Sequence, residues 1–325
     1  MRILAIAGIT SLVLGLSVPA GSADSAPEEG PVGHVAPTTF AAAGEYWTPE
    51  RMRDAEPLVE PAQGASPSVA AVPKAAGEQV DLPPLVVAQT SSWVRPYAAS
   101  AAKQQTWRSG GLIAKTAGKV FGTGGNGNDF VASGNVVRSK DGDVVVTVGH
   151  ALVDGQGRWS KNLVFVPAYK NGAAPYGKFA ARKMYIWSGY IKDNAHYPPF
   201  DFGMLVVNPV KGKKVQQTVG AQGIRFNATA AGASNLLLGY PSNGNGGRTL
   251  QYCSGASVTP SYSMKYAMVC DMGGGSSGGP WFQDFNKITG TGYQISAHAL
   301  RNTTTSYGAY FGPEALKTFR AAEAS

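Results

Sequence analysis

Between Glu78 and Glu314 the chain contains no glutamate, a gap of 235 residues in a protein of 325. At ordinary usage such a span would hold on the order of a dozen. Lys and Arg are plentiful in the same span. Cysteine is almost absent, with Cys253 and Cys270 the only two. No His/Cys grouping has zinc spacing, and no Gly-rich loop follows a strand and opens a helix, so neither a metal nor a phosphate-bearing cofactor is expected. Beyond the N-terminus no apolar run is long enough to cross a bilayer, which excludes a stable membrane anchor. The formal charge is +8. The cations are nevertheless scattered, with "KGKK" at 211–214 their one cluster, and this argues against a nucleic-acid partner.

What is present begins with "MRILAIAGITSLVLGLSVPAGSA", residues 1–23. A charged start, a short apolar run and small closing residues have the form of a signal peptide, with cleavage after Ala20 or Ala23. The protein is therefore expected outside the cell, where Cys253 and Cys270 would form a disulfide rather than two buried thiols. Residues 24–107 are rich in Ala and Pro and poor in apolar alternation, which suggests a weakly ordered pro-segment or linker. Residues 1–107 hold 6 Lys+Arg against 10 Asp+Glu, and residues 108–325 hold 22 against 10. An acidic leader before a basic domain can dock by charge, or can serve solubility alone.

From residue 116 onward short apolar segments alternate with turns such as "KDGD", "KNG" and "SNGNGG". About ten strands, among them "DFVASGNVV", "DVVVTVGH", "FDFGMLVV" and "GYQISAHAL", predict an all-β sandwich or barrel over 108–325. Only "PEALKTFRAA" has a helical pattern, with Pro313 at the first position and Leu316 and Phe319 on one face.

Within this β region one stretch stands apart, "MGGGSSGGP" at 272–280, which begins two residues after Cys270 and runs into "WF". A serine nucleophile needs a base to take its proton, and the base needs an acid to orient it. His150 closes an apolar strand, Asp201 opens another, and Ser277 lies among glycines that can aim backbone N–H groups at one point. Ser276 is the rival nucleophile and Asp193 the rival acid.

The chain order His, Asp, Ser, with "GHA", "DFGMLVV" and "GSSGGP", resembles the chymotrypsin-like serine peptidases, and within them the secreted bacterial branch that includes glutamyl endopeptidases. The resemblance covers roughly 115–320. It implies two antiparallel Greek-key β-barrels with the active site between them, and a short C-terminal helix. It also implies a catalytic set of His150, Asp201 and Ser277, with the N–H groups of Gly275 and Ser277 as oxyanion hole. The substrates would be proteins or peptides, the pro-segment an additional partner, and the molecule a monomer. Members usually bond a Cys after the catalytic His to a Cys before a Ser-Gly in the preceding strand; here these positions are Ala151 and Ala132, lost together.

The resemblance gives two opposed specificity signals. Asp271 stands six positions before Ser277, where an anion would select Arg or Lys. His298 aligns with the pocket histidine of the glutamyl branch, where it would bind a carboxylate. Met272 replaces a hydroxyl residue usual in that branch. The missing glutamates favour cleavage after Glu, because such an enzyme would spare its own domain, and Glu78 would then be a self-processing site. Lys103 and Arg108 are other candidate cuts. Two rivals remain on the sequence alone: an inactive binding domain on the same fold, and an esterase, whose order would be Ser, Asp, His.

Overall fold

A computed structural model describes residues 29–59, 77–87, 101–192, 195–196, 198–228, 234–257 and 266–325. The expected signal peptide and Asp193 lie outside the described residues.

The first half of the β region is a closed, six-stranded antiparallel barrel. Its strands are β1 (Ala117–Thr123), β2 (Asp129–Val136), β3 (Val144–Thr147), β4 (Lys161–Pro167), β5 (Phe179–Trp187) and β6 (Gly203–Val207). They pair in the order β5-β6-β3-β2-β1-β4, and β4 closes back onto β5. Strands β3 and β6, "VVVT" and "GMLVV", are buried along their whole length, so near-continuous apolar runs replace alternation. Their register sets Gly203 opposite Thr147 and Leu205 opposite Val145. Ala132 and Ala151 are both fully buried in this barrel's core.

The second half is a sheet of β7 (Ser234–Gly239), β8 (Gln251–Ala256), β9 (Tyr266–Val269), β10 (Pro280–Asn286), β11 (Thr291–Arg301) and β12 (Thr305–Gly308). The order is β9-β12-β11-β10-β7-β8. A disulfide from Cys253 in β8 to Cys270, just past β9, joins the two ends of this order, with the Cα atoms 5.8 Å apart. The expected final helix forms at Pro313–Glu323 and packs Ala315, Phe319 and Ala322 into the core. The chymotrypsin-like architecture implied by the motifs is the one found.

The leader departs from its expected weak order. Pro31–Val35 adds a strand to β5, Val80–Leu82 pairs with Gly223–Phe226, and Ala101–Thr106 pairs with β8. Two helices, Phe40–Tyr46 and Pro49–Asp54, form between them, each started by a threonine side-chain cap, Thr39 and Thr48. Charge is not the main anchor. Asp81 does pair with Arg225, yet another ion pair of the leader to the barrel is reversed, Arg51 to Asp129. The anchor is apolar: Trp47 is fully buried, its ring centroid 5.2 Å from that of Phe121, and Met52 is buried beside it. Composition hid this because few aromatic anchors suffice when a preformed barrel supplies the rest of the core. Trp47→Ala should weaken docking of 29–59 by about 3–5 kcal/mol. Hydrogen exchange across 29–59 would read that change.

Candidate active site

His150 sits three residues beyond the end of β3, in a single 3₁₀ turn, Gly149–Ala151, rather than at the strand end itself. Asp201 follows another 3₁₀ turn, Pro198–Phe200, and precedes β6 by two residues. Because β3 and β6 are antiparallel neighbours, both turns emerge at one end of the barrel. The Asp201 carboxylate holds His150 twice. Oδ1 accepts the His150 backbone N–H at 2.9 Å, and Oδ2 lies 2.7 Å from Nδ1. Both side chains are 2 % exposed. A carboxylate at Nδ1 fixes the proton there and makes Nε2 the basic nitrogen.

Tyr190 completes this grip, and nothing in the sequence marked it. Its buried phenol is hydrogen-bonded to Asp201; burial, then the Asp201 charge and that bond, push its pKa well above the ordinary tyrosine value. It therefore stays protonated and donates to the carboxylate. The ring packs so closely on Gly149 that a Cβ there would lie 2.8 Å from it.

The segment "GGGSSGGP" is an ordered turn clamped to both sheets. The Ser277 carbonyl accepts Ser133 N–H at 2.7 Å, and the Ser133 hydroxyl donates to the Gly275 carbonyl at 2.8 Å. That hydroxyl also accepts Tyr240 N–H, while Thr147 donates to the Ser133 carbonyl. Gly278 N–H reaches the His298 carbonyl at 2.9 Å. Gly275 and Gly278 have φ of +88° and +82°, and a Cβ on Gly278 would lie 2.3 Å from the Ser133 carbonyl. Only glycine fits there. Ser133, in the "SG" of "VASGN", is thus the hub that ties the nucleophile turn to β2. Ser277 is fully buried, and its hydroxyl has no hydrogen-bond partner among the described residues.

Ser276, the rival nucleophile, is committed elsewhere. Its hydroxyl donates to the Gly273 carbonyl at 2.6 Å and lies 2.9 Å from His298 Nδ1. One hydroxyl has one proton, so Nδ1 of His298 must be the donor in the second contact. His298 and Met272 are fully buried, with Met272 in the cluster around the disulfide. Asp271 accepts Gln104 N–H at 2.7 Å, so one of its carboxylate oxygens is bonded to the Ala101–Thr106 strand.

The leader reaches this turn. Glu56–Pro57 runs parallel to β2 at Phe130 and Val131, and Leu58 N–H donates to the Val131 carbonyl at 2.9 Å. The Leu58 carbonyl then accepts Gly275 N–H at 3.1 Å. Among the described residues no three His, Cys, Asp or Glu side chains are grouped to hold a metal.

Solved structures share this architecture. Protease Anisep from Arthrobacter nicotinovorans is 36% identical at a TM-score of 0.61, over 68% of this chain and 100% of that one. The thermostable serine protease AL20 from an extremophilic microorganism is 31% identical at 0.60, over 66% and 99%. A Glu endopeptidase in complex with MPD, 18% identical at 0.54 over 68% and 97%, shares the fold. No protein-family model and no curated protein matches the chain. With better than 30% identity sustained over essentially the whole of two proteases, one of them a serine protease by name, and with the same double-sheet architecture, the chain belongs to the chymotrypsin-like serine proteases.

Proposed function

We propose that the protein is an exported serine endopeptidase, made with an inhibitory leader, that cleaves peptide bonds through Ser277, His150 and Asp201. The observation that carries this reading is the double hold of Asp201 on His150, at the barrel end to which Ser133 and Thr147 clamp the Ser277 turn. His150 Nε2 takes the Ser277 proton as Oγ attacks the substrate carbonyl. Asp201 stabilises the imidazolium, and the N–H groups of Gly275 and Ser277 receive the oxyanion. His150 then protonates the leaving amine, and water, deprotonated by the same imidazole, releases the acyl group. A fluorophosphonate should label the processed protein and fail to label Ser277→Ala. A processed protein that hydrolyses peptides yet resists the reagent would overturn the assignment. A protein that neither hydrolyses nor reacts would leave the inactive binding domain as the account.

The preferred residue before the cut is Glu, with His298 as its ligand. Three features support this. No glutamate stands between Glu78 and Glu314. Asp271 is already bonded to Gln104, which weakens an Arg-selecting role. And Ser276 holds His298 by Nδ1, which fixes the orientation of the ring. With Nδ1 protonated, Nε2 can donate to a carboxylate only as imidazolium. The ratio of kcat/KM for a Glu substrate over its Gln counterpart should fall in His298→Ala. A ratio unchanged by that substitution would remove His298 from the role. Nitroanilides ending in Glu, Arg, Phe and Leu would rank the preference itself. The Cys253–Cys270 bond would steady the wall of this pocket.

Maturation follows from the same reading. Lys103 lies within a paired strand, and a cut after Arg108 would strip that strand from β8. Glu78 is exposed, and a cut there leaves Ala101–Thr106 in place. Glu78 is thus the favoured first cut, and a new N-terminus at Gln79 would show it.

A further inference from the structure

Away from the proposed triad, a cavity of about 800 Å³ opens between residues 106–108, 168–170 and 244–250. Arg108, Lys170 and Arg248 line it, all three exposed, and among the described residues no carboxylate does. None of the three forms an ion pair among the described residues. Asn171 N–H donates to the Arg248 carbonyl at 2.9 Å, which fixes Lys170 and Arg248 on facing loops. The aromatic part of the wall is Trp107, Tyr169 and Tyr240.

A fourth cation stands behind that wall. Lys119 is 4 % exposed, with its ammonium 4.6 Å from the centre of the Tyr169 ring and 5.6 Å from that of Phe121. It has no carboxylate partner among the described residues. Burial lowers it to about 8, so at neutral pH it is still mainly a cation. A buried ammonium held only by ring faces is a standing electrostatic cost, and an anion bound nearby would offset it.

The cavity adjoins the nucleophile turn. Tyr240, in its wall, donates its N–H to the Ser133 hydroxyl that holds Gly275, and Ser242 N–H donates to the Gly274 carbonyl. We propose that this cavity is a secondary binding site for an acidic stretch of a polypeptide, one that carries Asp or Glu side chains outside the bond being cut. It is too large for a single small anion, and its aromatic walls suit the apolar stems of a peptide. The proposal extends the endopeptidase reading to a substrate class, and its test does not depend on catalysis.

The test uses full-length Ser277→Ala protein and a fluorescein-labelled Asp-Gly repeat peptide, with the Asn-Gly repeat as its uncharged match. Fluorescence anisotropy at physiological salt should show the Asp peptide bound more tightly. Lys170→Ala/Arg248→Ala should weaken it by about three- to tenfold. Both positions are exposed, so this variant folds if its thermal transition is unchanged. Lys211→Ala/Lys213→Ala, in the surface basic run, should leave binding as it was. Equal binding of the two peptides would overturn the site. So would an equal loss in the Lys211/Lys213 variant, which would mean diffuse charge attraction, or a single-stranded DNA oligomer that outcompetes the Asp peptide. If acidic peptides bind Ser277→Ala as described but the wild type hydrolyses nothing, the binding site stands and the endopeptidase reading fails.

Discussion

Asp201→Asn is expected to lower kcat on peptide substrates by about 10⁴-fold. The asparagine can keep the bond to the His150 backbone N–H through its oxygen. Its amide nitrogen then faces Nδ1, now a lone pair, and the ring proton moves to Nε2. The imidazole keeps its place and loses its function as base. KM should change little, because Asp201 is buried and touches His150 and Tyr190 rather than substrate. Steady-state kinetics on a purified, processed variant, with a thermal transition to confirm folding, would measure this. A fall of less than tenfold would mean that Asp201 does not orient the base.

The second large effect concerns the leader. Residues 29–59 are anchored by Trp47, and their far end gives the Leu58 carbonyl to Gly275 N–H. That N–H is one of the two donors assigned to the oxyanion, so a substrate carbonyl has to displace Leu58 first. If the Trp47 contacts, about 3–5 kcal/mol, make up most of the docking free energy, only one molecule in roughly 10² to 5 × 10³ is open. Separation of the leader should therefore raise kcat/KM by about that factor. The unprocessed Trp47→Ala chain should recover much of the gain without any cut. The comparison needs Glu78→Gln in both chains, so that self-processing does not supply the activity. Equal activity of processed and unprocessed forms would show that the leader assists folding or export without blocking the site.

The short motifs told more than composition did. "GSSGGP", "GHA" and "DFGMLVV" point to Ser277, His150 and Asp201 as the proposed catalytic set because that chemistry needs fixed neighbours: glycines for the turn, and buried strands to carry the base and the acid. The all-β class was legible in the alternation of apolar segments with turn residues, and the last helix in Pro313 and its spacing. The described parts of 29–106 take their order from contact with the rest of the domain, and no local pattern records a tertiary contact. Trp47, Met52 and Leu58 have no periodicity that marks them. Tyr190 was invisible for a related reason, since its partner is eleven positions away and its hydroxyl acts only once two 3₁₀ turns meet. Ser133 had a faint signal in the Ser-Gly pair after Ala132, though nothing pointed to its four bonds. The pairing of Cys253 with Cys270 required only counting.

The central claim is that Ser277, activated by His150, is the nucleophile. The most direct measurement is mass spectrometry of the processed protein after reaction with a fluorophosphonate, with sequencing of the peptide that spans residues 266–286. The account predicts one adduct, on Ser277, absent in Ser277→Ala and formed far more slowly in His150→Ala. An adduct on Ser276, or labelling that proceeds at the same rate without His150, would contradict it.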